Sequence, residues 1–223
     1  MSTQLEALSP TLSPEHRVTL LGATITEIQE PLLPEEEPAI KKAVPKRIRE
    51  YTASRTLARR AMSTLHQPTG PVLRSERRAP LWPNGLTGSL THTDDHCACA
   101  MGLTDDIRSV GIDMEVIGRA APNLWDRLFT PSELTVLAKS TTSDRDATLM
   151  FTAKEAFYKL QFPITTAWLG FTDVEVQILS QDSFKLTVRN QPENGDPLPS
   201  EILGVVSEPF AGTLLSQIWL PHA

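Results

Sequence analysis

The sequence predicts a fold that mixes α-helices with β-strands, in a chain of 223 residues that is long enough for one large domain or two small ones. Two long stretches, 39–66 and 145–161, repeat apolar residues every three or four positions, which is the period of an amphipathic helix. Residues 174–188 alternate apolar and polar side chains in two short runs, which indicates a β-hairpin. The chain therefore combines long helices with strands.

The chain is expected to begin irregularly, because residues 1–40 are rich in proline and acidic side chains. The long helix at 39–66, with a break allowed at Pro45, places Ala53, Leu57, Ala61 and Leu65 on its core face. A loop punctuated by Pro and Gly covers 67–88. The predicted strands in this part of the chain are 17–26, a short one at 72–73 and 89–103, and a turn at 104–106 separates the last of them from a further strand at 109–116.

A short helix is expected after the strand at 109–116. Thr130-Pro131-Ser132-Glu133 is a capping box with proline at the first helical position, so a helix starts there and runs to about Lys139. The second helix, 145–161, carries one apolar stripe of Met150, Ala153, Phe157 and Leu160. The predicted strands that follow are 174–178, 184–188, 201–207 and 213–220.

Charge is concentrated in one segment of an acidic chain. From residue 41 to 78 there are eleven Lys or Arg against two acidic residues, a net +9; the chain as a whole is −6, so the remainder carries −15. An acidic protein with one basic tract is not a general nucleic-acid binder. The tract suits a compact polyanion, and it suits an acidic protein partner as well.

Cysteine content and hydropathy predict a cytoplasmic protein. The only cysteines, Cys97 and Cys99, are too few for a disulfide framework and are expected to be buried structural thiols in a reducing compartment. The first residues have neither the basic nor the apolar region of a secretory signal. No apolar run approaches the roughly 18 residues that a transmembrane helix needs.

Three carboxylates lie near lysines in two short segments. On a strand, Asp113 and Glu115 project from one face, while Ile112, Met114 and Val116 project from the other into a core. On the second-half helix, Glu155 and Lys159 are i,i+4 neighbours that point away from the apolar stripe. Carboxylates beside lysines suit a divalent cation that holds a phosphorylated ligand. The alternative to a cation site is that these three acidic side chains are simply solvated at the ends of their strand and helix.

These segments resemble a known signature. Gly111-Ile112-Asp113-Met114-Glu115, followed by 151–159 (FTAKEAFYK), is similar to the G-I-D-x-E and F-[ST]-x-K-E-[AS]-x-x-K pattern of 4′-phosphopantetheinyl transferases. The resemblance is to the monomeric class, and specifically to the enterobactin-synthase type. Further segments match that family in the same order: E-Y-x-x-x-R-x-x-A-R at 50–59, W-P-N-G at 82–85, G-S-L-T-H at 88–92, F-T-P-S-E at 129–133 and W-L-G-F at 168–171.

The resemblance implies a fold and a reaction. The fold is α+β, with two similar α/β halves of antiparallel sheet related by a pseudo-twofold axis. Residues 1–105 would form an N-terminal half that grips coenzyme A phosphates, and 106–223 a C-terminal half with the metal and catalytic residues. The reaction transfers the 4′-phosphopantetheine arm of coenzyme A to a serine of an apo acyl or peptidyl carrier protein, with Mg²⁺ (or Mn²⁺), and releases 3′,5′-ADP. A fatty-acid, polyketide or nonribosomal-peptide carrier would fit, a siderophore pathway among them, and a monomer is expected.

The resemblance also assigns functions to residues. Asp113, Glu115 and Glu155 are the candidate metal ligands, and Glu155 is a candidate general base. Glu133 is a second candidate for metal or water positioning, although its place in a capping box is explanation enough. The candidate coenzyme A contacts are Arg47, Arg55, Arg74, Ser89, His92, Lys154 and Lys159. Arg59 is instead expected to pair with an acid near the core.

Two other functions remain open at this level. A metal-dependent phosphohydrolase would use the same acids on water, and a non-catalytic member of the family would only bind coenzyme A or a carrier. The sequence contains neither G-x-x-x-x-G-K-[ST] nor G-x-G-x-x-G, so phosphate must be held by side chains, metal and the Gly-Ser-Leu-Thr backbone.

Overall fold

The computed structural model describes residues 6–7, 18–192 and 195–222 of the chain. These described residues form two compact units, one within 1–110 and joined by 221–222, the other within 111–220. Each unit packs helix against antiparallel strands, so the α+β class predicted from the family resemblance is confirmed. The irregular start expected before residue 17 lies outside the described residues, apart from residues 6 and 7.

The first unit is built on a four-stranded sheet. Its strand order is β1-β2-β6-β5, and each neighbouring pair is antiparallel. A separate two-stranded hairpin joins β3 to β4. The strands are β1 (Glu6–Ala7), β2 (Val18–Thr24), β3 (Leu73–Arg74), β4 (Pro80–Leu81), β5 (Leu86–His92) and β6 (His96–Leu103), and β7 (Ile107–Val116) follows them in the chain.

One long helix, α1 (Pro45–Thr64), covers this sheet. Ala53, Leu57 and Ala61 are fully buried in the core of the unit, as the four-residue spacing predicts. The helix begins at Pro45 and not at residue 39, because proline has no N–H to lose at the first helical position. Residues Glu37–Ile40 form a separate 3₁₀ turn.

The strand predicted at 89–103 is wrong in one respect, since the structure divides it into the hairpin β5–β6. Thr93, Asp94 and Asp95 form the turn, in which Thr93 N donates to His96 O at 2.8 Å. The Thr93 hydroxyl oxygen accepts from His96 N at 3.1 Å. A hydroxyl that bonds its own backbone in this way favours a turn over a continuous strand.

The second unit places three helices on a five-stranded sheet with the order β7-β11-β10-β9-β8. The pairs β8–β9, β9–β10 and β10–β11 are antiparallel. Its core contains Phe129, Leu149, Phe157 and Phe184. The elements are α2 (Trp125–Leu128), α3 (Pro131–Leu137), α4 (Ser143–Thr165), β8 (Val174–Ile178), β9 (Ser183–Val188), β10 (Glu201–Ser207) and β11 (Thr213–Pro221).

The structure divides the chain inside β7 and not in the turn at 104–106. Ile107 is fully buried, and its side chain lies against Gly102 of the first unit. The end of the chain also belongs to that unit, where His222 Nε2 lies 2.6 Å from Thr104 O. The start of β7 therefore completes the first unit, and its later residues open the second.

Two further sequence expectations concern thiols and membranes. Cys97 and Cys99 are free and buried, and burial raises the pKa of Cys97 to about 12, so both are structural as predicted. Across the residues that the structure describes, no helix has the length and apolar character to cross a membrane.

Candidate active site

Four charged side chains of the second unit form what we call the acid cluster: Asp113 and Glu115 on β7, and Glu155 and Lys159 on α4. The alternation of β7 buries Ile112 and Met114 completely, which agrees with the prediction. The prediction fails at Val116, which is 49% exposed because the strand ends there. The apolar stripe of α4 is confirmed, since Met150, Ala153, Phe157 and Leu160 are all buried.

A glycine lets β7 approach α4 closely enough to form this cluster. A Cβ atom on Gly111 would lie 2.0 Å from Ala156 O and 2.8 Å from Leu160 Cβ. Because the first contact is to helix backbone, no side-chain rearrangement could relieve it. The glycine that precedes Ile112 and Asp113 therefore sets the separation of strand and helix, which is the physical reason for a glycine in the G-I-D-x-E segment.

Within the acid cluster, Lys159 Nζ donates to Asp113 Oδ1 at 2.7 Å. Burial, with the nearby charge of Asp113, raises the pKa of Glu115 to about 7. The same two causes raise the pKa of Glu155, and Lys159 opposes that rise. The three carboxylates thus lie close enough to repel one another, and a positive charge placed among them would be stabilised.

The donor set of the acid cluster fits a hard divalent cation. Over the residues that are described, no group of three or more His, Cys, Asp or Glu side chains is placed so that it could hold a metal ion, so the three carboxylates do not form such a group together. Mg²⁺ does not need one, since it is commonly bound by one or two carboxylates together with waters and substrate phosphates. A cation bound among the three carboxylates would offset the repulsion between their negative charges.

In the first unit, three side chains form what we call the Arg47 cluster. Arg47, on the first turn of α1, donates from Nη1 to His92 Nε2 at 2.9 Å and to Glu50 Oε2 at 3.2 Å. Arg47 remains 43% exposed, whereas Glu50 is largely buried. The cluster therefore joins α1 to the end of β5 and presents an arginine to solvent.

The contact with Arg47 determines the tautomer of His92. A guanidinium only donates hydrogen bonds, so Nε2 must supply the lone pair. The ring proton then lies on Nδ1, which is 3.3 Å from Thr93 O. Glu50 Oε2 also lies 3.8 Å from His92 Nε2.

The other predicted coenzyme A contacts of this unit are placed differently. Arg55 is buried, donates from Nε to Val72 O at 2.7 Å and lies 4.0 Å from the centre of the Tyr51 ring. Burial lowers its pKa, and Arg47 is close enough to lower it further. Arg74 is partly exposed on β3, and Ser89 is buried on β5. Ligand contacts of these three residues stay predictions.

Arg59 has the structural function predicted for it. It donates to Glu36 Oε2 at 2.8 Å, and the Glu36 carboxylate also accepts from Val72 N. Glu36 is fully buried and was not identified from the sequence. Its only sequence signal was an acidic run, Glu35 to Glu37, that reads as solvated surface.

Glu133 and Lys154 are the site predictions that the structure corrects most clearly. Both side chains are 1% exposed, and they form an ion pair of 2.6 Å. Burial lowers the pKa of Lys154, and the Glu133 charge opposes that change. Two charges buried against each other are not presented to a phosphate. The expected phosphate contact of Lys154 therefore has no structural support, and Glu133 forms the predicted capping box at Thr130.

A cavity of about 150 Å³ borders the acid cluster at Glu155. Its wall is mostly aromatic and apolar, with Tyr158 on α4 and Trp168, Leu169 and Phe171 on the segment after it. Trp168 is 82% exposed and packs edge-on against Tyr158. The cavity was not predicted, because its wall depends on how the segment after α4 folds back over that helix.

Two models of known protein families match successive parts of the chain. The sequence model of the 4′-phosphopantetheinyl transferase N-terminal domain matches residues 35–102, and that of the 4′-phosphopantetheinyl transferase superfamily matches residues 109–205. The chain belongs to the 4′-phosphopantetheinyl transferase superfamily. The second match contains the whole acid cluster, and the first contains the Arg47 cluster.

Individual relatives support the same assignment. The chain is 38% identical over 148 residues to 4′-phosphopantetheinyl transferase PptT of Mycobacterium tuberculosis, a match that covers 65% of this chain and 64% of that protein. It is 37% identical over 149 residues to 4′-phosphopantetheinyl transferase Npt of Nocardia iowensis, covering 67% of each. Enterobactin synthase component D of Salmonella typhimurium is 31% identical over 150 residues, covering 66% of this chain and 62% of that protein.

Among solved structures, two similar chains are holo-(acyl-carrier-protein) synthases. That of Thermotoga maritima is 21% identical with a TM-score of 0.35, covering 51% of this chain and 63% of that one. That of Bacillus anthracis, in complex with CoA (3′,5′-ADP), is also 21% identical with a TM-score of 0.35, covering 53% and 99%.

Proposed function

We propose that this protein transfers the 4′-phosphopantetheine arm of coenzyme A to a serine of an apo carrier protein and releases 3′,5′-ADP. The observation that carries the proposal is the acid cluster, in which Asp113, Glu115 and Glu155 influence one another's charge beside Lys159. It lies in the region that matches the superfamily. Carriers of fatty-acid, polyketide and nonribosomal-peptide pathways are the substrate class, including those of siderophore synthesis.

The reaction needs no nucleophile from this chain, because the partner supplies it. The serine Oγ of the carrier attacks the β-phosphorus of coenzyme A, and the bond from that phosphorus to the oxygen of 3′,5′-ADP breaks. The serine proton passes to Glu155, directly or through water. The raised pKa of Glu155, caused by burial and by Asp113, makes its carboxylate a stronger base near neutral pH.

Lys159 and Asp113 prepare the site for a phosphate. Asp113 holds the Lys159 ammonium at 2.7 Å. The lysine side chain is 27% exposed, so its positive charge is fixed in position and still accessible from solvent. A lysine is a compact donor well suited to a phosphate oxygen. We assign Lys159 to the negative charge that develops on the pyrophosphate during transfer.

Asp113 and Glu155 would hold Mg²⁺ (or Mn²⁺), with Glu115 as a third ligand or a ligand through water. When bound, the cation neutralises pyrophosphate charge and acts as a Lewis acid at phosphorus. In the first unit, we assign the exposed Arg47 to a phosphate group of coenzyme A, since arginine offers a bidentate fork to phosphate. The aromatic cavity beside Glu155 suits the uncharged part of the arm.

The proposal is tested by following 3′,5′-ADP chromatographically with coenzyme A, Mg²⁺ and a panel of apo carrier proteins. We expect release only when a carrier is present, in amounts equal to the carrier modified. Release without a carrier would indicate the phosphohydrolase instead. Coenzyme A binding without release on any carrier would indicate the non-catalytic family member.

Binding of coenzyme A is expected to weaken as salt is raised, because the proposed contact is between charges. Replacing Arg47 with alanine should weaken binding by about 10- to 100-fold, the usual effect of losing a charged hydrogen bond, and should flatten the salt dependence. Isothermal calorimetry at several salt concentrations measures both. Arg145→Ala is the control, since Arg145 lies on α4 and donates to Gln181 O. Equal losses in the two variants would contradict the assignment of Arg47.

Glu115 is expected to make the protein less stable at high pH. Its pKa of about 7 in the folded protein exceeds the ordinary value of 4.5, so the folded state holds this proton more tightly than the unfolded state. The associated stability is fully present below pH 4.5 and is lost as pH rises to about 7. In EDTA, Glu115→Gln should therefore have a higher Tm than the wild type above pH 7, and this advantage should vanish below pH 4.5.

The same variant tests the cation. If Glu115 contributes to the Mg²⁺ site, Mg²⁺ should raise the Tm of the wild type at high pH more than that of Glu115→Gln. Glu201→Gln is the control, because Glu201 is an exposed acid paired with Lys185. A constant Tm difference at every pH would show that Glu115 does not titrate differently in the folded protein.

A further inference from the structure

The buried pair of Glu133 and Lys154 leaves the lysine with no donor for a ligand. Lys154 Nζ donates to Glu133 Oε2 at 2.6 Å, to Phe171 O at 2.8 Å and to Leu128 O at 2.9 Å. An ammonium group has three N–H bonds, and all three are directed to oxygens of the protein. Although Lys154 lines the cavity, its charge is therefore used internally.

The glutamate of the pair is equally engaged. Its Oε1 accepts from Val176 N at 2.7 Å, and its Oε2 accepts from Thr130 N at 2.6 Å as well as from Lys154. The pair thus joins α4 to three other segments of the second unit: the turn between α2 and α3, the segment after α4, and β8. Each of these bonds has a charged partner, which makes it stronger than a neutral hydrogen bond.

Two features connect the pair of Glu133 and Lys154 to the acid cluster. Glu155 follows Lys154 on α4, so a rotation of the helix that displaced Glu155 would also break the bonds of Lys154. Phe171, whose carbonyl accepts from Lys154, belongs to the same cavity wall that Glu155 borders. One ammonium group therefore fixes both the helix that carries Glu155 and the segment opposite it.

Stability alone does not account for a charged pair here. Replacing a buried ion pair with apolar residues of similar volume often leaves a protein as stable as before. Apolar residues would not hold α4 in one orientation. The hydrogen bonds from Lys154 Nζ to Leu128 O, Phe171 O and Glu133 Oε2 do so, because each has a fixed direction. Metal ligands commonly depend on such outer contacts for their orientation.

We propose that Glu133 and Lys154 are positioning residues for the transfer reaction, which fix Glu155 and the adjoining cavity wall and contact neither coenzyme A nor the cation. The proposal rests on the proposed function for its kinetic part. It replaces both of the functions that the sequence suggested, namely a catalytic Glu133 and a phosphate-binding Lys154.

The test removes the pair without leaving a lone charge, in the double variant Glu133→Gln, Lys154→Met. The matched control is Lys185→Met, Glu201→Gln, which removes an exposed Lys–Glu pair of 2.8 Å between β9 and β10. Four quantities are measured in each: Tm, coenzyme A affinity without Mg²⁺, Mg²⁺ affinity by calorimetry, and kcat at saturating coenzyme A and carrier.

We expect the double variant to fold and to bind coenzyme A within about twofold of the wild type, since no ligand contact is lost. Its Mg²⁺ affinity and its kcat should each fall by about 10- to 100-fold, the usual effect of losing an outer contact of a metal ligand. The control pair should change none of the four. If the double variant does not fold, Lys154→Arg provides the same comparison, because it keeps a positive charge beside Glu133 but not the geometry of the three lysine hydrogen bonds.

Two results would overturn the proposal. Wild-type Mg²⁺ affinity and kcat in a folded variant would show that the pair serves stability only. A loss of coenzyme A affinity of tenfold or more, with a flatter salt dependence, would show that Lys154 contacts phosphate. If the wild type itself transfers nothing, it is the proposed function that fails, and the Mg²⁺ affinities still decide whether the pair positions Glu155.

Discussion

Replacing Asp113 with asparagine is expected to reduce transfer by about a thousandfold, because a metal ion contributes several kcal/mol of charge stabilisation that a neutral amide cannot hold in place. The fold should persist. Asparagine has the shape of aspartate and keeps an oxygen to accept from Lys159, which now donates to Asp113 Oδ1 at 2.7 Å. Steady-state kinetics with a carrier that the wild type modifies measure the loss.

The control for this variant is Asp94→Asn. Asp94 also accepts from a lysine, Lys46, at 2.7 Å, but its side chain is 78% exposed and lies in the β5–β6 turn. That variant should keep wild-type activity. A folded Asp113→Asn protein with more than about a tenth of the wild-type rate would remove Asp113 from the set of metal ligands, since the loss would be under ~1.4 kcal/mol.

Replacing Lys154 alone with methionine is expected to destabilise the protein by about 3–5 kcal/mol, because the Glu133 carboxylate would stay buried without its cation. For a chain of this length the Tm should fall by about 10 °C. Adding Glu133→Gln to Lys154→Met should recover at least half of the loss, since the uncompensated charge is then gone. Thermal unfolding of the two single variants and the double variant measures this coupling.

Lys185→Met is the matched single replacement. Lys185 pairs with Glu201 at 2.8 Å, but the Glu201 side chain is 57% exposed, so water replaces the lost partner and the Tm should hardly change. If Lys154→Met were no more destabilising than Lys185→Met, the ion pair would contribute little. If the double variant were as unstable as Lys154→Met, the cost would come from lost packing and not from charge.

Local patterns in the sequence were sufficient for much of the fold. The capping box at Thr130 forms with both of its hydrogen bonds, and the hairpin of β8 and β9 lies where alternation placed it. The apolar stripe of α4 is buried along its whole length. These features depend on residues a few positions apart, whose spacing is fixed by the geometry of a helix or a strand.

Contacts between distant segments were harder to predict. The family resemblance, and not the spacing, placed Asp113 and Lys159 in one site, although they are 46 positions apart. It gave no sign that Lys154 would turn inward to Leu128 O and Phe171 O, since a lysine beside a catalytic acid resembles a ligand contact. Likewise, it gave no sign that Arg55 would be buried and would donate from Nε to Val72 O.

The central claim is that this chain moves a phosphopantetheine arm. The most direct measurement is the intact mass of an apo carrier protein after incubation with the purified protein, coenzyme A and Mg²⁺, with parallel samples that contain EDTA or Asp113→Asn. We predict a gain of one phosphopantetheine arm on the carrier serine with the wild type and Mg²⁺, and none in the parallel samples. An unchanged mass on every acyl and peptidyl carrier tried, from protein that is folded and binds coenzyme A, would contradict the account.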